Sequence, residues 1–127
     1  MNEKTIIATP QAPQAIGPYS QAVLFGNLLF CSGQIALDPE SGRLTGQTAA
    51  EQTQRTMENI GGLLRAAGLD FSNVLKVVIY LKDLDEYQEV NEVYARYFPN
   101  NPPARAAVQV DRLPKDAKLE IDVIAGR

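Results

Sequence analysis

The chain has 127 residues, 45% of them hydrophobic and 21% charged, with a formal net charge of −3, a balance expected of one globular domain over residues 1–127 with its own core. It contains no histidine and a single cysteine, Cys31, which excludes Ser-His-Asp and Cys-His catalysis, histidine or thiolate zinc sites and an internal disulfide. The pI near 4.9 comes without a basic stripe or tryptophan, so nucleic acid is not an expected partner.

Residues 4–9, KTIIAT, are short and β-branched and predict a first strand, which Pro10 and Pro13 interrupt. AIGPYSQ (15–21) is a loop around the Gly17-Pro18 turn signal. The apolar runs 22–25 and 28–32 flank Gly26-Asn27 and predict a hairpin, followed by a polar connection over 38–46. Thr48 with Glu51 three residues on is a capping box. Ala50, Thr53, Met57, Ile60, Leu64 and Ala67 then recur at helical spacing, and Gly68 ends the helix. Inside it, Gly61-Gly62 costs roughly 1 kcal/mol per glycine relative to alanine and is read as close packing against a sheet.

VLKVVIYL (74–81) is nearly all apolar, the pattern of a strand buried on both faces. Asp83 caps a second helix with Glu86 at its third position. Its inner face is Leu84, Tyr87, Val90, Tyr94 and Tyr97/Phe98, and it stops before Asn100-Asn101-Pro102-Pro103. Two strands close the chain, 104–110 and 118–125. In the first, Ala106, Val108 and Val110 suit a core, so Arg105, Ala107 and Gln109 emerge opposite it. In the second, Leu119, Ile121 and Val123 share one face, and Lys118, Glu120 and Asp122 the other. The order β-β-β-α-β-α-β-β is an α+β layer of about six strands and two helices. Two helices cover only one face, so the other wants a partner, and self-association is the economical expectation.

The chemistry available is limited to Arg, Lys, Asp, Glu, Tyr, Ser, Thr and backbone groups, because phosphate-cradling glycine motifs are also missing. On the strand pattern alone Arg105 reads as a salt bridge, and its alternative is a fork gripping a carboxylate in two places. Glu120 is either solvated or, if a neighbouring chain closes its face, a partly buried carboxylate suited to general-base work. Asp83, Asp85 and Glu86 fit helix capping better than a metal. Cys31 reads as a buried structural thiol, and Tyr19, after the Gly-Pro turn, as an aromatic able to close over a ligand. No run approaches transmembrane length and the N-terminus does not read as a signal peptide, so a cytoplasmic location is expected.

GPYSQA (17–22), SGQI (32–35), VNEVYARYF (90–98), PARAAVQV (103–110) and LPKDAKLEI (113–121) together resemble the RidA (YjgF) family, essentially end to end. The resemblance implies a chorismate-mutase-like fold with two helices on one face of a six-stranded sheet, assembled as a homotrimer with ligand sites between subunits. It implies hydrolysis of 2-imino acids such as 2-iminobutanoate and 2-iminopropanoate to 2-keto acids and ammonia, using neither cofactor nor metal. The imines arise from enamines released by pyridoxal-phosphate-dependent dehydratases. By matching motif, Arg105 would bind the substrate carboxylate, which reverses the salt-bridge reading, and Glu120 would position or activate water. Tyr19 would close the pocket, and Ser32 and Gly33 would line it. Ala107 stands where many bacterial relatives carry cysteine, so a thiol there is not expected to be needed, and it bears on pocket size. Asp111 departs from the family's usual small or basic residue and reads as a surface change. The family also includes keto-acid-binding regulators without strong catalysis, and proteins described as ribonucleases or translation inhibitors.

Overall fold

The structure, a computed structural model, describes residues 3–127. Among the described residues six strands form one sheet: β1 (Lys4–Ile7), β2 (Ala22–Phe25), β3 (Leu28–Cys31), β4 (Val74–Leu81), β5 (Ala104–Gln109) and β6 (Leu119–Gly126). Their order across the sheet is β1-β2-β3-β6-β4-β5. Every pairing is antiparallel except β4 with β5. That parallel pair is joined by the second helix, α2 (Tyr87–Ala95), while α1 (Ala49–Ala66) joins β3 to β4. The last strand in sequence thus lies in the middle, between β3 and β4, and carries Glu120 into the centre of the sheet.

Alternation on β6 decides the layering. Leu119, Ile121, Val123 and Ala125 are each at most 2% exposed and meet Met57, Ile60 and Leu64 of α1, Val90 and Tyr94 of α2, and Val77, Ile79 and Leu81 of β4. Each large apolar side chain buried there contributes about 1.5–3 kcal/mol. The capping box holds as read: Thr48 Oγ1 accepts from the Glu51 N–H at 3.1 Å, and Glu51 Oε1 accepts from the Thr48 N–H at 3.1 Å. Gly68, with φ of 76°, closes α1 by donating its N–H to the Arg65 carbonyl at 2.9 Å.

Several expectations are corrected. Within the chain β4 is buried on one face only: Val77, Ile79 and Leu81 are covered by the helices, while Val78 and Tyr80 are half-buried on the other face. On β5 the alternation holds but its sense is inverted. Ala106 and Val108 are exposed, and Arg105 and Ala107 turn towards the helices, with Ala107 packed on the core. The cause is register: Arg105 pairs with core-facing Val77, and Val108 with Tyr80. Gly61 and Gly62 do not pack on the sheet. A β-carbon on Gly62 would sit 2.5 Å from the Gln11 carbonyl oxygen, and one on Gly61 3.3 Å from the Phe71 ring, so the helix makes room for the segment leaving β1. Asp83 caps a single 3-10 turn at Leu84–Glu86 rather than the helix, which starts at Tyr87 and leaves Leu84 exposed.

The face without helices carries apolar rows on either side of Glu120, Asp122 and Lys76. The rows Ile6–Val23–Phe30–Ile124 and Val78–Ala106 run across it in register, with Ile6, Phe30 and Val108 between 43% and 52% exposed. A patch of this kind marks an interaction surface.

Candidate functional site

β3 does not stop cleanly. After Cys31 the chain kinks at Ser32-Gly33 and returns to the sheet at Gln34, which exchanges two backbone hydrogen bonds with Ile121, both 2.9 Å. This brings Gly33 against β6 on the helix-free face. A β-carbon on Gly33 would collide with Glu120 Oε2 and lie 2.7 Å from Asp122 Oδ1. The two carboxylates converge on the glycine, and a side chain there would push both aside. Ser32, half-buried, sends its hydroxyl to the Ser20 carbonyl at 2.6 Å and so ties this kink to the loop that carries Tyr19.

Glu120, Gly33 and Tyr19 line one cavity of about 380 Å³, together with Ile16, Gln21, Ile35, Pro114 and Lys115 among others. Its volume suits a small metabolite. The walls are tied down. The buried Gln21 amide donates to the Thr9, Ala12 and Pro13 carbonyls at 3.0, 3.1 and 2.7 Å and accepts from the Thr9 N–H at 2.7 Å. Asn59 of α1 holds the Ile35 and Leu37 carbonyls at 3.2 and 2.8 Å. Tyr19 is 54% exposed, and its hydroxyl accepts from the Ile16 N–H at 3.2 Å, which sets the ring on the cavity wall. Lys115, at φ of 56°, is a cation on the same wall.

Glu120 is half-buried, and burial first, then the neighbouring Asp122 carboxylate, pushes its carboxyl above the usual range. Asp122 accepts from the Tyr80 hydroxyl at 3.2 Å. Cys31 is also half-buried, its thiol pushed up to about 12 by burial and then by Asp122. A thiol held protonated is a poor nucleophile, in line with its reading as structural.

Arg105 lies elsewhere. Its Nη1 donates to Asn91 Oδ1 at 2.7 Å and its Nη2 to the Tyr87 hydroxyl, and the guanidinium carbon sits 4.8 Å from the centre of the Tyr94 ring. Tyr87, Asn91 and Tyr94 recur at spacings of four and three and form one face of α2, which the parallel crossover lays over β5. The guanidinium is thus fixed in plane and direction, with donors left over for an acceptor. Arg105 and Glu120 are on opposite faces of the sheet: one pairs with Val77, which faces the helices, the other with Tyr80, which does not. A single chain therefore brings Tyr19, Gly33 and Glu120 together, with Ser32 beside them, and leaves Arg105 and Ala107 apart.

The supports of Arg105 and the pinning of the loop by Gln21 were not read from the sequence. The Tyr87-Asn91-Tyr94 face was legible as a stripe, but Tyr87 and Tyr94 read simply as core. Nothing in the local pattern marks Gln21.

An α+β sheet with helices on one face, and a glycine-lined carboxyl cavity on the other, defines a small two-layer domain with a metabolite-sized pocket. The chain belongs to the YjgF/RidA family, whose model, described as endoribonuclease L-PSP, matches residues 9–126. It is 48% identical over 122 residues to the 2-iminobutanoate/2-iminopropanoate deaminase of Homo sapiens, covering 96% of this chain and 89% of that protein. A RutC family protein of Pyrococcus horikoshii is 49% identical, covering 96% of this chain and 97% of its own. Among solved structures, E. coli TdcF with bound serine superposes with a TM-score of 0.92 at 41% identity, covering 97% and 98% of the two chains. The YjgF gene product of E. coli does so at 0.92 and 40%, with the same coverage.

Proposed function

We propose that this protein hydrolyses small 2-imino acids, 2-iminobutanoate and 2-iminopropanoate, to the corresponding 2-keto acids and ammonia, in sites assembled between copies of the chain in a homotrimer. The observation that carries this reading is the half-buried Glu120 carboxyl converging with Gly33 in a cavity of about 380 Å³, in a chain 48% identical to proteins named for that deaminase activity. The serine bound to TdcF supports a small carboxylate-bearing ligand.

In this mechanism Arg105 grips the substrate carboxylate through two parallel N–H donors, its fork pre-set by Asn91 and Tyr87. Because Arg105 and Glu120 occupy opposite faces of one chain, the arginine comes from a neighbouring copy, whose association also covers the apolar rows of the open face. A protonated imine carbon is already electrophilic. Glu120 accepts a proton as water adds to that carbon and returns it to the nitrogen; the C–N bond of the carbinolamine then breaks as the carbonyl forms, and its hydroxyl proton passes back through Glu120 to the departing ammonia, which leaves as ammonium. Orientation supplies the rest of the acceleration.

The test generates 2-iminobutanoate in situ with a threonine dehydratase and measures keto-acid formation against a chemical trap for the imine. Added protein should speed keto-acid release. Glu120→Gln should lower turnover by roughly 10²–10⁴ while keeping 2-oxobutanoate binding, and Arg105→Ala should weaken that binding by about 1.5–3 kcal/mol. Binding of 2-oxobutanoate with no acceleration identifies a keto-acid binder instead. Cleavage of RNA by protein inert towards the imine moves the activity to nucleic acid.

A further inference from the structure

Glu120 does not face its cavity alone. From its own strand Asp122 stands beside it, both carboxylates bordering the space in front of Gly33. From β4, Tyr80 is its register partner and sends its hydroxyl diagonally to Asp122 Oδ2 at 3.2 Å. Two acids this close on one sheet face repel when both are ionised, and among the described residues one of them is held by a donor while the other is not. Such asymmetry separates the roles of a carboxylate pair: the hydrogen-bonded member is held in place, and its neighbour becomes the one that exchanges a proton.

We propose that Asp122, fixed by the Tyr80 hydroxyl, is the positioning residue for Glu120, presenting a like carboxyl group on the same sheet face that directs the Glu120 carboxyl towards the cavity and makes it the proton carrier of the pair. This deepens the deaminase reading and rests on it for the reaction concerned. The other titratable groups around the pair are Tyr80 and Lys76 of β4 (Lys76 lines one hollow with Asp122), Cys31 of β3, Tyr19 on the loop and Lys115 on the turn before β6. The Tyr80 hydroxyl is pushed up, first by the Asp122 charge, and the Cys31 thiol is pushed up too, so both keep their protons near neutrality. Asp122 also adds to the upward push on Glu120, after burial.

The experiment reads the side-chain carboxyl resonance of Glu120 in 13C-labelled full-length protein across pH, beside the pH profile of imine turnover. Asp122→Asn removes the like charge, so the Glu120 midpoint should move to lower pH. The acid limb of kcat should move in the same direction, with KM unchanged. Asp122→Glu, which keeps the charge, should return both towards wild type. Tyr80→Phe keeps the charge but frees Asp122 to rotate, and kcat should fall by roughly tenfold, the low end of what one hydrogen bond to a charged group is worth. A Glu120 midpoint in Asp122→Asn that stays put or rises overturns the proposal, as does full turnover in Tyr80→Phe. If the wild-type protein does not turn over imines, the deaminase reading fails, and the resonance midpoint alone still decides whether Asp122 governs Glu120. Should Asp122→Asn not fold, Asp122→Glu and Tyr80→Phe carry the decision: a Glu120 midpoint in Asp122→Glu far from wild type overturns the proposal.

Discussion

Replacing Gly33 by alanine tests the geometry of the cavity more directly than removing a charged group. The new methyl would collide with Glu120 Oε2 and approach Asp122 Oδ1 to 2.7 Å. Both atoms end flexible side chains, and Gly33 is exposed, so relief comes from rotating the carboxylates and not from moving backbone. The stability cost should therefore fall at or below the low end of overpacking, about 1 kcal/mol. Activity should respond far more strongly. Clearing a methyl group displaces the Glu120 oxygen by roughly an ångström, and a misplacement of that size costs about 10²-fold in rate. Gly33→Ala should thus lower turnover in the trap-competition assay about a hundredfold, with 2-oxobutanoate binding retained, since the proposed mechanism assigns the carboxylate to Arg105. Thermal unfolding measured alongside should show a small shift. Wild-type turnover in a folded Gly33→Ala protein would refute the placement of Glu120 as the reacting carboxyl.

Arg105→Ala and Glu120→Gln, each impaired alone, should recover part of their activity when unfolded together and refolded as a mixture, because some sites then combine an intact Arg105 with a neighbour's intact Glu120; no recovery would mean that both residues of a site belong to one chain. Gly62→Ala should lower stability by about 1–3 kcal/mol, because the added carbon meets the Gln11 backbone oxygen at 2.5 Å; denaturant titration reads it, and an unchanged midpoint would show that the Pro10–Pro13 segment yields. Cys31→Ala should keep most imine hydrolysis. Its thiol ionises in the unfolded chain near 9 but in the folded protein only near 12, so the folded state holds the extra proton in between, and stability should fall as pH rises from about 9 towards 12. The Cys31→Ala protein should lack that part of the decline, which urea titrations at pH 8 and 10.5 would compare.

Local chemistry on the chain determined much of this protein. Thr48 and Glu51 fixed the start of α1, Gly68 its end, and Gly26-Asn27 the hairpin, because capping and turn formation depend on residues within a few positions of one another. The alternation of Leu119, Ile121 and Val123 against Glu120 and Asp122 was likewise legible, since the strand period is a property of the backbone itself. Period alone does not say which face meets the helices. For β5, where Arg105, Ala107 and Gln109 share one face and Ala104, Ala106 and Val108 the other, that choice came from its parallel register with β4, and it sent Arg105 to α2 instead of away from the core. Tertiary structure alone also decided that Gly33 would border Glu120, that Gln21 would hold the Tyr19 loop, and that Gly62 would face Gln11. Each of these contacts joins residues 12 or more positions apart or pairs a side chain with backbone that any sequence could supply. Side-chain identity is written in the sequence, but the direction in which it points across a sheet is set only when the strands pair.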